Sequence, residues 1–245
     1  MRAGAGQTAP QQSGDSLRGF GFALTAYLMW GALPIYMKAV SHIPTLEVLA
    51  HRVVWSVPVA LLILWWLGRT SDLRTAIRSP RTIGMAAVTA TLVSINWGVY
   101  VWAIQSGQTL EAALGYYINP LFSVFMGRVF LGERLRGLQW VSIVLAGAAV
   151  GILTYDGGKL PVVALSVTLS WGLYAFFKKS LPIGPNQGFA LEVLLLMPVA
   201  LAYIVWLAVS GQADFLNGSV RDDLLLAGCG IVTAVPLMIY ANGAK

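Results

Sequence analysis

Residues 23–44 read ALTAYLMWGALPIYMKAVSHIP, and residues 164–185 read ALSVTLSWGLYAFFKKSLPIGP. Laid one over the other, they agree at Ala23/Ala164, Leu24/Leu165, Leu28/Leu169, Trp30/Trp171, Gly31/Gly172, Lys38/Lys179 and Pro44/Pro185. After a four-residue insertion in the second copy, Leu46-Glu47-Val48-Leu49 returns as Leu191-Glu192-Val193-Leu194. Two apolar helices share Leu, Ala and Gly by composition alone. They do not share a Trp-Gly pair, a lysine closing the run and a tetrad with a carboxylate inside it. The chain therefore contains an internal repeat. A unit with an odd number of membrane spans sends its second copy through the bilayer in the opposite sense, which predicts an inverted repeat with solute bound near the midplane between the halves.

Composition sets the solvent. Of the 245 residues, 57% are hydrophobic and only 11% charged, with a mean hydropathy of +0.72. Soluble domains carry roughly 25% charged residues, so a soluble enzyme, a disordered chain and a disulfide scaffold are excluded. The single cysteine, Cys229, lies in an apolar run and can form no internal disulfide. A span needs about 20 apolar residues, and such runs fall at 18–37, 46–67, 82–104, 112–131, 138–155, 160–177, 187–209 and 224–241. The expected fold is an all-α polytopic helix bundle. It has a disordered cytoplasmic tail over 1–17, a first five-helix unit over 18–155 and a second over 160–245. Two five-span units need ten spans, so the second unit is expected to be truncated after its third helix.

Charge gives the orientation. With the N-terminus inside, Arg2, Arg18, Arg69, Arg74, Arg78, Arg81, Arg128, Arg134, Arg136, Lys178, Lys179 and Lys245 collect on the cytoplasmic side, as the positive-inside rule requires. The net charge of +6 thus marks a membrane face, and no nucleic-acid partner is implied.

Four motifs carry a family resemblance. They are Tyr27-x-x-Trp30-Gly31, Glu47-x-x-x-His51-Arg52, Leu110-Glu111-Ala112-x-x-Gly115-Tyr116-Tyr117-Ile118-Asn119-Pro120-Leu121 and Phe130-Leu131-Gly132-Glu133-Arg134. Together they resemble the RarD proteins, bacterial EamA-type permeases of the drug/metabolite transporter superfamily. The resemblance implies a ten-helix inner-membrane permease of small organic solutes, drugs or metabolites, of a family associated with chloramphenicol sensitivity. A truncated, non-transporting membrane partner or sensor is the other reading.

Ionisable groups inside a span are functional candidates by default. Glu47 and His51 lie one turn apart on one helical face, with Arg52 adjacent, a set suited to proton uptake and release; the competing reading pairs Glu47 with Arg52 structurally. Glu192 is the repeat partner of Glu47. Lys38 and Lys179 close their helices and read as interfacial, and Lys178 with Lys179 reads as an inside-positive anchor. Trp30 and Trp171, with Tyr27 and Tyr174, are candidates for an aromatic cavity. Asn96, Tyr100, Tyr116 and Asn119 could hydrogen-bond a substrate or join helices. Pro34, Pro58, Pro120, Pro198 and Pro236 predict kinks. Gly147-x-x-x-Gly151 predicts close packing within the protomer, with a homodimer face as the alternative. Gly14-Asp15-Ser16-Leu17 spells a lipase-type start without triad partners. No metal site or phosphate loop occurs, so no enzyme activity or cofactor is implied, and the expected partners are the bilayer and a small-molecule substrate.

Overall fold

In the computed structural model, residues 17–132, 134–158 and 160–243 are described. Among them the chain forms nine helices: α1 (Leu17–Ala39), α2 (Thr45–Trp66), α3 (Thr70–Ile77), α4 (Pro80–Gln105), α5 (Thr109–Leu131), α6 (Gly137–Gly157), α7 (Val162–Lys179), α8 (Pro185–Val209) and α9 (Val220–Gly243). Apart from Leu17, which opens α1, the expected tail lies outside the described residues, as do Glu133, Lys159 and Lys245. Helix boundaries follow local chemistry. α4 starts where Ser79 Oγ accepts from the Thr82 amide at 3.3 Å and Pro80 supplies a preset φ. α5 stops at Gly132, whose φ of 66° suits a residue without a Cβ.

Every expected span coincides with a helix to within a few residues. Five helices (α1, α2, α4, α8 and α9) are long and apolar enough to cross a membrane; α5, α6 and α7 stand outside that set. The sequence reading placed only a connection between the second and third spans, but α3 occupies it. Its hydrophobic residues Leu73 and Ala76 are buried while its polar ones face out, so it packs as a short amphipathic helix. Gln187 Nε2 donates to Asp72 Oδ2 at 2.9 Å and ties α3 to the start of α8.

α2 packs between α8 and α9, α4 packs on α7 and α8, α5 packs on α7, and α1 packs on α9. α6 leans mainly on α5. The close packing expected at Gly147 and Gly151 is absent among the described residues, since a Cβ at either position would meet nothing within 4 Å. Close approach occurs elsewhere. At Gly115 a Cβ would stand 2.6 Å from the Ala164 carbonyl oxygen, and at Gly230 it would run into the Trp55 backbone. These glycines bring α5 onto α7 and α9 onto α2.

Candidate functional site: charges inside an apolar bundle

Glu47 lies in the first turn of α2 and is fully buried. Its Oε1 accepts from the backbone amides of Asp214 at 2.9 Å and Phe215 at 3.0 Å, in the loop between α8 and α9. His51, one turn on, packs against Phe215 with ring centroids 4.6 Å apart and planes inclined at 48°. Its Nδ1 accepts from Trp55 Nε1 at 3.1 Å. Glu47 Oε2 and His51 Nε2 are buried without a hydrogen-bond partner among the described residues. The sequence spacing thus brings the two side chains to one loop, but not into a bond with each other.

Arg52 does not form the ion pair with Glu47 that the competing sequence reading supposes. Five residues on an α-helix are about 140° apart, so the two side chains leave α2 in different directions. Arg52 is 2% exposed. Its Nε donates to Thr233 Oγ1 of α9 at 3.1 Å, and its guanidinium lies 5.0 Å from the Trp97 ring centroid, a cation–π contact.

Glu192 occupies the interior of α8. It accepts from Thr89 Oγ1 at 2.6 Å and from the Tyr174 hydroxyl at 3.2 Å, and pairs with Lys178 Nζ at 2.7 Å. This corrects the reading of Lys178 as an anchor: its side chain is only 16% exposed and points inward. Lys38 and Lys179 are exposed. The signal was in the spacing, because Trp171, Tyr174 and Lys178 fall at i, i+3 and i+7, one face of α7, whereas Lys179 is rotated off it.

The Glu111–Asn119 block organises the contact of α5 with α7. Glu111 Oε1 accepts from the Val163 amide at 3.1 Å, which satisfies an otherwise free donor in the first turn of α7. Gly115 admits α7, and its carbonyl accepts from Thr168 Oγ1 at 2.8 Å. The Tyr116 hydroxyl donates to Asn96 Oδ1 at 2.7 Å, while Asn96 Nδ2 donates to Ser170 Oγ at 3.1 Å. Asn119 is buried with an unpartnered Oδ1. Aromatic rings run through this region in sequence, with centroid separations of 5.8 Å for Tyr100–Tyr116, 6.0 Å for Tyr116–Trp171 and 5.2 Å for Trp171–Tyr174. They link the surroundings of Arg52 to the Glu192–Lys178 pair.

This arrangement has close sequence relatives. Residues 17–155 match the model of the EamA-like transporter family. The chain is 41% identical over 231 residues to an uncharacterized transporter of Vibrio cholerae serotype O1, covering 94% of this chain and 76% of that one. It is 40% identical to Protein RarD of Streptomyces exfoliatus, with 96% and 73% covered. Against Protein RarD of Escherichia coli K12 it is 37% identical, with 91% and 75% covered. The chain belongs to the EamA-like transporter family. It is a multi-pass membrane transporter, and no solved structure matches it.

Not every candidate of this transporter converges. Trp30 stands apart from Trp171, grouped with Tyr27 and Tyr240 at centroid distances of 5.5 and 5.6 Å, where Tyr27 is 58% exposed. Pro58, Pro120 and Pro198 lie inside helices but face outward, Pro34 is half-buried and Pro236 is buried. Thr89, Trp97, Ser170, Phe215 and Thr233 escaped the sequence reading, because nothing in an apolar run marks which threonine or aromatic ring faces a charge on another helix. Two lateral grooves, of about 580 Å³ beside Tyr36 and Gly228 and about 440 Å³ beside Pro34 and Lys38, include none of the buried charges.

Proposed function

We propose that this transporter is a secondary-active permease that carries small organic solutes, drugs or metabolites, across the bacterial inner membrane and is coupled to protons. The observation that carries this reading is the set of buried ionisable groups on α2, α7 and α8, held inside the bundle and away from the lipid-facing surface. Such groups are costly within a membrane and persist where solute or ions pass. Glu47 Oε2 and His51 Nε2, buried and unpartnered, are the groups suited to take up and release a proton.

The packing is consistent with two inverted units, over 18–155 and 160–245, and the basic residues gathered on one side favour a cytoplasmic N-terminus. Exchanging α1 with α7, α2 with α8 and α4 with α9 turns the α1–α9 contact into α7–α4 and the α2–α9 contact into α8–α4, and maps α2–α8 onto itself; all of these contacts occur. Alternating access then amounts to rocking one unit against the other around a fixed site. The test is flux in proteoliposomes with and without an imposed pH gradient, using labelled aromatic acids, amines and chloramphenicol. Gradient-driven uptake that falls about tenfold or more in Glu47→Gln supports the reading. Flux indifferent to the gradient for every solute removes the proton coupling.

A further inference from the structure

Arg52 carries an interior positive charge with no ion-pair partner among the described residues. Its guanidinium cannot discharge by losing a proton, as a lysine or histidine could. Its electrostatic neighbours are the Tyr100 and Tyr116 hydroxyls and the Cys229 thiol, all uncharged in their ordinary forms. Glu47 is turned away toward the Asp214 and Phe215 amides. Glu192, the other fully buried carboxylate among the described residues, is taken by Lys178 at 2.7 Å. Nε is used by Thr233, whereas Nη1 is buried with no partner. Among the described residues the two interior cations therefore differ: Lys178 has a carboxylate at 2.7 Å, and Arg52 has none. A buried charge without its counter-charge is the arrangement proteins avoid, unless the missing charge arrives with a ligand.

We propose that Arg52 is the docking point for a carboxylate on the transported solute, with Trp97, Tyr100 and Tyr116 forming an aromatic surround for a flat apolar body beside it. This rests on the permease reading above and names its substrate class. Trp97 lies 5.0 Å under the guanidinium, and Tyr100 and Tyr116 meet edge to face with centroids 5.8 Å apart. Charge, an orphan donor and apolar walls thus meet at one place, the combination that small-molecule sites use to fix orientation. An arginine so placed hydrogen-bonds a carboxylate oxygen while the rings exclude water.

Equilibrium binding to the purified protein in detergent tests this without requiring transport. The probes are benzoate, its neutral isostere benzamide, benzylamine and chloride, read by thermal shift and by competition against labelled benzoate. Wild type should bind benzoate about tenfold or more tighter than benzamide, with neither benzylamine nor chloride competing at matched concentration. Arg52→Gln should lose the preference of benzoate over benzamide, and Arg52→Lys should recover part of it. Equal binding of benzoate and benzamide by wild type overturns the proposal, and so does a preference that survives in Arg52→Gln. Chloride competing as well as benzoate also overturns it, in favour of an inorganic anion. Should Arg52→Gln fail to fold, the wild-type probe series alone decides. Carboxylate binding without flux of any solute would remove the permease reading and leave the site; flux confined to neutral or cationic solutes would do the reverse.

Discussion

Glu47 and Glu192 stand in the same Leu-Glu-Val-Leu tetrad, on α2 and α8, and both are fully buried, yet they are held in opposite ways. The four-residue insertion before the second tetrad is about one helical turn. Measured from the aligned prolines Pro44 and Pro185, it keeps the carboxylate on nearly the same face of its helix and moves it about 6 Å further along the axis. Glu47, two residues into α2, is near enough to the helix end to reach free amides of the 213–216 loop. Glu192, seven residues into α8, lies where neighbouring amides are spent on their own helices. Only side chains can serve it there, and the chain supplies a threonine, a tyrosine and a lysine. One turn of depth thus converts a loop clasp into an interior ion pair.

The largest effect expected from this contrast is at Lys178. Lys178→Met leaves the Glu192 carboxylate buried without its cation and should cost about 3–5 kcal/mol, measured by equilibrium unfolding in mixed micelles. Combining it with Glu192→Met should recover most of that loss. Additive losses in the two single variants would break the contrast, because they would mean that the charges do not act on each other. Next in size is Glu47→Ala, which removes a charged acceptor from two backbone amides and should cost about 2–3 kcal/mol. Its signature is local: hydrogen exchange at the Asp214 and Phe215 amides should accelerate while Thr89 and Tyr174 keep their protection. Unchanged exchange at those two amides would show that Glu47 does not clasp the loop.

Much of this frame was legible in the sequence, and the limits have physical causes. Helix positions followed from hydropathy because the bilayer admits so few alternatives. Glu47, Arg52 and Glu192 stood out because charges in apolar runs are rare. Their partners did not. The Glu47 carboxylate bonds to backbone amides, which carry no residue signature. Arg52 reaches Thr233 across 181 residues of sequence. Lys178 was masked by Lys179, since two adjacent lysines at a helix end satisfy the orientation rule equally well, and only the face occupied by Trp171 and Tyr174 separates them. Trp30 and Trp171 align in the repeat but not in environment: Trp171 meets Tyr116 of α5, whereas Trp30 meets Tyr27 and Tyr240.

The finest test lies within the Glu192 cluster. The Tyr174 hydroxyl donates to Oε2 at 3.2 Å, and the same oxygen faces Lys178 Nζ at 2.7 Å. Oε1 takes the shorter bond from Thr89, at 2.6 Å. If the ion pair dominates, losing the phenol leaves the carboxylate paired, and Tyr174→Phe should cost only about 0.5–1.5 kcal/mol in the mixed-micelle assay. The ring contact of Tyr174 with Trp171, at 5.2 Å between centroids, survives the substitution, so the change isolates the hydroxyl. In the Lys178→Met background the same substitution should cost more, because the phenol would then be one of only two remaining donors. An equal cost in both backgrounds would mean that the phenol and the ammonium serve the carboxylate independently, and the cluster would then be a set of separate bonds with no shared network.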